Sequence, residues 1–174
     1  MAEPFSPADI IACLARHQVD YVLIGGLAGG FHGSPAMTND ADICPSRDHE
    51  NLERLAAALR EMDARIRAAG VEPFKFACDA TFLALMDVAL NLTTRWGDFD
   101  ISYHPAGSPN GYADLIPHAV AYDIDGATVM VASLADIIRS KRQAGRPKDH
   151  LTLPILEALQ DEIADRERRN PRDS

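Results

Sequence analysis

The 174-residue chain has room for one domain with a small helical appendix, and its 47% apolar and 25% charged content excludes a largely disordered or fibrous polypeptide. A formal net charge of −9 argues against a protein that coats nucleic acid indiscriminately. The charge is uneven: residues 139–174 hold nine Lys/Arg against seven Asp/Glu, whereas residues 1–138 hold eight against nineteen.

The opening MAEPFSPADI has no basic region leading into an apolar stretch, so no secretory signal is expected. Ser6-Pro7 reads as an N-cap with proline at the first helical position, opening a helix to about His17. Tyr21 to Ile24 is a short apolar strand closed by Gly25-Gly26, and Leu27 to His32 a short, glycine-weakened helix. The apolar run from Tyr21 to Phe31 holds four glycines and is too short to span a bilayer. Asp40 to Cys44 is strand-like and stops at Pro45. Ser46 then opens a helix in which Leu52, Leu55, Leu59, Met62 and Ile66 share one face, with Gly70 closing it.

Asp79 is expected to cap a short helix through Met86. Val88–Thr94 and Phe99–Tyr103 read as a hairpin around Trp96-Gly97-Asp98, and Val120–Ile124 and Thr128–Val131 as a second around Asp125-Gly126. Tyr112 to Ile116 fits either element type. Ser133 and Asp136 form a capping box for a helix ending near Gly145. A last helix runs from about Lys148 to Arg168 across Pro154, and the tail Asn170 to Ser174 is expected to fray. Mixed helices and strands give an α+β or α/β class. Three distant cysteines, Cys13, Cys44 and Cys78, make neither a disulfide framework nor a zinc site and suit a reducing cytoplasm.

The informative stretch is Ile24-Gly25-Gly26, thirteen residues, then Asp40-Ala41-Asp42-Ile43. Side chains alternate along an extended segment, so Asp40 and Asp42 point to one side. Two such carboxylates suit a divalent cation, above all magnesium, which takes one or two carboxylates and leaves positions for phosphates. Asp100, between Phe99 and Ile101, is the third acid, with Asp98 in reserve because it adjoins the turn at Gly97. Three acids on adjacent strands fit two-metal phosphoryl displacement. Glycines at 25 and 26, between strand and helix, let backbone approach a phosphate.

Lys141 lies seven residues after Leu134 and three after Ile138, near the centre of the apolar stripe of its helix. It should turn inward, where a lysine needs an anion such as a triphosphate; the alternative is a lysine that snorkels to solvent from the helix end. Arg139 to Lys148 carries five basic residues and no acid, and Asp149 follows at a position suited to capping the last helix.

These motifs resemble the nucleotidyltransferase superfamily related to DNA polymerase beta. The stretches YVLIGGLAGGFHGSP, TNDADI, GDFDISYHPAG and VASLADIIRSKRQAGRPKD look like its AbiEii/MenT-like branch, toxins of type IV-style toxin–antitoxin pairs, over roughly residues 19–160. The resemblance implies an α+β fold: a mixed sheet with flanking helices and a C-terminal helical segment. The core would cover residues 1–147, with 148–174 packed on it as a helix and tail within one domain. It implies Asp40, Asp42 and Asp100 as ligands for Mg²⁺ or Mn²⁺, and Gly25 and Gly26 as backbone contacts to an NTP. Lys141 and Arg146 would bind its phosphates, and Asp149 would be a further essential acid. The chain departs from the superfamily at Gly26, where many members carry serine, and at Ala36, where relatives often carry arginine.

The expected function is metal-dependent transfer of NMP from an NTP, with release of pyrophosphate, by a cytoplasmic toxin. By the resemblance the acceptor is RNA, with the tRNA 3′ end favoured, and a cognate antitoxin protein is a possible partner. Rivals are NMP transfer to a protein side chain and a catalytically silent partner-binding subunit. A haloacid-dehalogenase-type phosphatase also uses DxD, but needs an apolar strand entering the first Asp, which Ala36-Met37-Thr38-Asn39 is not.

Overall fold

A computed structural model describes residues 4–170; the expected fraying of the tail beyond Asn170 lies outside them. Among the described residues the order is α1 (Pro7–Arg16), β1 (Tyr21–Ile24), α2 (Gly25–Phe31), β2 (Asp40–Pro45), α3 (His49–Glu61), β3 (Arg65–Ala68), β4 (Val71–Phe74) and α4 (Ala80–Leu85). It continues with β5 (Leu90–Thr94), β6 (Gly97–Ile101), α5 (Tyr112–Leu115), a 3-10 turn (Ile116–His118), β7 (Val120–Ile124), β8 (Ala127–Val131), α6 (Leu134–Ala144) and α7 (Pro147–Arg169). All eight strands form one sheet in the order β4-β3-β5-β6-β2-β1-β8-β7. The β1–β8 and β2–β6 neighbours are parallel and the rest antiparallel, so the class is α+β with a mixed sheet. No helix among the described residues is long and apolar enough to cross a membrane.

Local chemistry explains most elements. Asp125 and Gly126 both take positive φ, 52° and 84°, the backbone a tight two-residue hairpin requires, and they join β7 to β8. Gly145 closes α6 in the left-handed conformation, φ 59°. Ile10, Ile11, Cys13 and Leu14 of α1 and Leu52, Leu55, Ala56, Ala58 and Leu59 of α3 are buried with Phe99 and Ile101 of β6. The helix α7 begins at Pro147, runs through Pro154 and sends Leu156 into the same core.

One element differs from the sequence reading. The helix expected from Ser46 to Gly70 spans only His49–Glu61. Asp63 turns to φ 52°, and the Ala64 N–H closes the end on the Leu59 carbonyl. Ile66, which continues the helical spacing, instead pairs with Leu92 of β5, and Gly70 becomes the turn between β3 and β4. Pairing to a distant strand overrides a local period that fits a helix equally well. The ambiguous Tyr112–Ile116 segment is a single helical turn that runs into the 3-10 turn.

Candidate active site

The acids meet because β2 and β6 lie side by side. In the parallel register Asp42 stands opposite Asp100 and Asp40 opposite Asp98, while Ala41, Ile43, Phe99 and Ile101 fill the other face. Carboxylate oxygens of Asp40, Asp42 and Asp100 lie within 4.8 Å of one another. They line a cleft of about 440 Å³, the size range of small-molecule sites, together with Gly25, Gly26 and Lys141. Burial first, and then the nearby charges of Asp40 and Asp100, push the Asp42 carboxyl up to about 7, against a smaller pull from Lys148 and Arg146. A cluster that resists carrying its own negative charge is chemically suited to a hard divalent cation with oxygen ligands.

Gly25 is required at its position twice over. It takes φ 70°, and a β-carbon there would stand 2.3 Å from Asp42 Oδ2. The turn thus lays backbone directly against an acid of the cluster. Gly25 and Gly26 are the first residues of α2, whose N–H groups have no partner within the helix.

Two residues of the site escaped the sequence reading. Arg67 of β3 donates to Asp100 Oδ1 at 2.9 Å and Oδ2 at 3.2 Å, and its Nε lies 3.4 Å from Asp98. Burial raises the Asp100 carboxyl, and Arg67 pulls it back in part. No signal pointed to Arg67, because its segment fits the period of the preceding helix. Thr38 Oγ1 donates to Asp40 Oδ1 at 2.6 Å. It sits two residues before Asp40, so alternation along an extended chain is the signal that would have found it.

The Arg67 contacts sharpen the choice between the two acids of β6. Asp100 faces Asp42 across the strand pair, whereas the Asp98 carboxylate lies outside the cluster, beside Arg67. Asp100→Asn should therefore remove Mn²⁺ binding, while Asp98→Asn should change the Mn²⁺ Kd less than threefold. Titration of the two variants checks this, and loss confined to the Asp98 variant would reverse the assignment.

Lys141 faces the cleft as its place on the apolar stripe of α6 implies, with a side chain 13% exposed. Its resident anion is Asp149, which is fully buried; Lys141 Nζ lies 3.1 Å from Asp149 Oδ1. Arg146 Nε donates to Asp149 Oδ2 at 2.9 Å, and the Arg146 backbone N–H to the same oxygen at 3.2 Å. Burial opposes the Asp149 charge, but Arg146 and Lys141 together hold its carboxyl below the usual range. Asp149, the third residue of α7, thus accepts from the backbone N–H of the Arg146 N-cap and clamps two cations of the cleft. The other basic residues of the window differ in role: Arg139 pairs with Asp136, Arg142 with Glu157, and Lys148 lines the cleft.

No family model and no curated protein matches the chain. Solved structures do. The lincosamide antibiotic adenylyltransferase LnuA with bound lincomycin aligns at TM-score 0.59 and 13% identity over 90% of this chain and 99% of that one. The ANT(2″)-Ia structure with adenylyl-2″-tobramycin aligns at 0.53 and 14% over 90% and 94%. A Thermotoga maritima protein described as a nucleotidyltransferase aligns at 0.51 and 16% over 90% and 89%. The mixed sheet, the adjacent acid-bearing strands and these alignments together establish that the chain has the nucleotidyltransferase fold.

Proposed function

We propose that the protein is a divalent-metal-dependent nucleotidyltransferase that moves NMP from an NTP to an acceptor hydroxyl. The observation that carries this is the convergence of Asp40, Asp42 and Asp100 within 4.8 Å, against the Gly25-Gly26 turn. The acceptor oxygen bonds to the α-phosphorus, the bond from that phosphorus to the oxygen bridging to the β-phosphate breaks, and pyrophosphate leaves. The hydroxyl proton passes to water or to a carboxylate of the cleft. A bound Mg²⁺ or Mn²⁺ would supply charge neutralisation for the attacking and leaving oxygens. Asp40, Asp42 and Asp100 would hold that ion. Gly25 and Gly26 present backbone N–H groups to phosphate, and Lys141 and Arg146, fixed by Asp149, neutralise the triphosphate.

For the acceptor, the resemblance to the AbiEii/MenT-like toxins favours the 3′ end of tRNA, with an antitoxin protein as partner. One observation favours a second reading, a small hydroxyl-bearing molecule. Arg139 and Arg142, the cations of the Arg139–Lys148 window that lie outside the cleft lining, already pair with Asp136 and Glu157, which leaves a short cationic track for an RNA backbone. The test is incubation with Mg²⁺ and each α-labelled NTP, with total tRNA in one arm and a panel of aminoglycosides and lincosamides in the other. Label on tRNA supports the toxin reading and label on a small molecule the second. Label on the protein itself points to side-chain modification. A protein that binds no NTP and releases no pyrophosphate in any arm is a silent binding subunit, and the transferase reading fails.

A further inference from the structure

We infer that Thr38 is a positioning residue of the metal site, fixing Asp40 through its hydroxyl; the inference rests on the metal-dependent reading above. Thr38 Oγ1 lies 2.6 Å from Asp40 Oδ1 and 3.3 Å from the Asp40 backbone oxygen. A hydroxyl has one proton, and the carboxylate at the shorter distance is the better acceptor, so that proton is committed to Asp40. The carboxylate so held contributes one oxygen to the cluster with Asp42 and Asp100. A metal-ligating carboxylate held by a neighbouring donor keeps its orientation at no cost when the cation arrives, and outer partners of this kind are worth about 10–100-fold in metal affinity or activity.

The opposite wall explains why the hydroxyl stands there. Gly26 has no side chain, and a β-carbon on it would come within 3.1 Å of both Cβ and Oγ1 of Thr38. Thr38 occupies that room. The loop before β2, rather than the turn after β1, supplies the hydroxyl on this side of the cleft, and Gly26 and Thr38 form one packed unit beside Asp40.

The experiment is Mn²⁺ titration, followed by the paramagnetic signal, of the parent, Thr38→Val and Thr38→Ser. It needs no acceptor and no knowledge of the nucleotide. Thr38→Val keeps the shape and removes the donor; it should weaken Mn²⁺ by at least tenfold. Thr38→Ser restores the donor and should recover most of that loss. Where transfer is measurable, kcat should fall with Thr38→Val while KM for NTP changes less than threefold, because the triphosphate contacts stay in place. Equal Mn²⁺ affinity in Thr38→Val and parent overturns the inference. So does equal weakening by both variants, which marks Thr38 as packing alone. A parent that binds Mn²⁺ but transfers no nucleotide leaves this inference standing and sinks the transferase reading. A parent that binds no Mn²⁺ sinks both.

Discussion

Asp42→Asn should abolish nucleotidyl transfer and yet stabilise the metal-free protein at alkaline pH. The loss of activity follows from removing a carboxylate at the centre of the acid cluster proposed to hold the metal; losing even one transition-state electrostatic contact costs on the order of 10²–10³-fold. The gain in stability follows from linkage. The Asp42 carboxyl is pushed from its ordinary 3.8 to about 7, chiefly by burial and then by Asp40 and Asp100. Between these values the folded protein keeps a proton that the unfolded chain has lost, so stability falls as pH rises through the window. The favourable contribution is complete below the lower value and gone above the upper. Asparagine has no proton to lose, so the variant should melt roughly 5 °C above the parent at pH 8 and level with it at pH 4. Millimolar Mg²⁺ at pH 8 should close the gap by raising the parent alone, since a ligand that binds only the folded state stabilises it. A variant that melts below the parent at pH 8 would show that the Asp42 carboxyl is not raised in the folded protein.

Lys141→Met should remove NTP protection against thermal unfolding and also weaken the fold, although methionine matches lysine in volume. From the sequence alone the second effect is not expected, because a methionine leaves no charge of its own to satisfy. The structure places the charge elsewhere. Asp149 is fully buried between Lys141 and Arg146, and taking Lys141 away leaves its Oδ1 with only a long 3.4 Å contact from Arg146 Nη2. Losing one of the two charged partners of a buried carboxylate costs about 1.5–3 kcal/mol, or a fall in Tm of about 3–10 °C for a chain of this size. Lys141→Met/Asp149→Leu should recover at least half of that fall, because neither charge remains to be stranded, but should stay without NTP protection. Calorimetry of the three proteins with and without NTP separates the two roles. Unchanged NTP protection in Lys141→Met would remove the lysine from the site and leave it as a structural partner of Asp149.

The sequence by itself carried the features that repeat within a few residues. The spacing of Asp40 and Asp42 set them on one side of a strand, and Phe99 and Ile101 marked Asp100 as a strand residue with polar exposure on the opposite face. The stripe of Leu134, Ile137 and Ile138 turned Lys141 inward, and Asp125-Gly126 fixed a hairpin. Each of these depends on a backbone period or a φ preference that neighbouring residues alone impose.

Tertiary structure decided what depends on which distant segments become neighbours. The parallel pairing of β2 with β6 brings Asp42 opposite Asp100 across more than fifty intervening residues, and no local pattern encodes that register. Ile66 left a helical period to pair with Leu92, which carried Arg67 to Asp100. The anion for Lys141 is Asp149, on the following helix, because the left-handed turn at Gly145 folds α7 back onto α6. Side-chain periods are local and survive in the sequence. Charge partners are set by the path of the chain in space, where a buried carboxylate or ammonium takes whatever opposite charge the packing delivers.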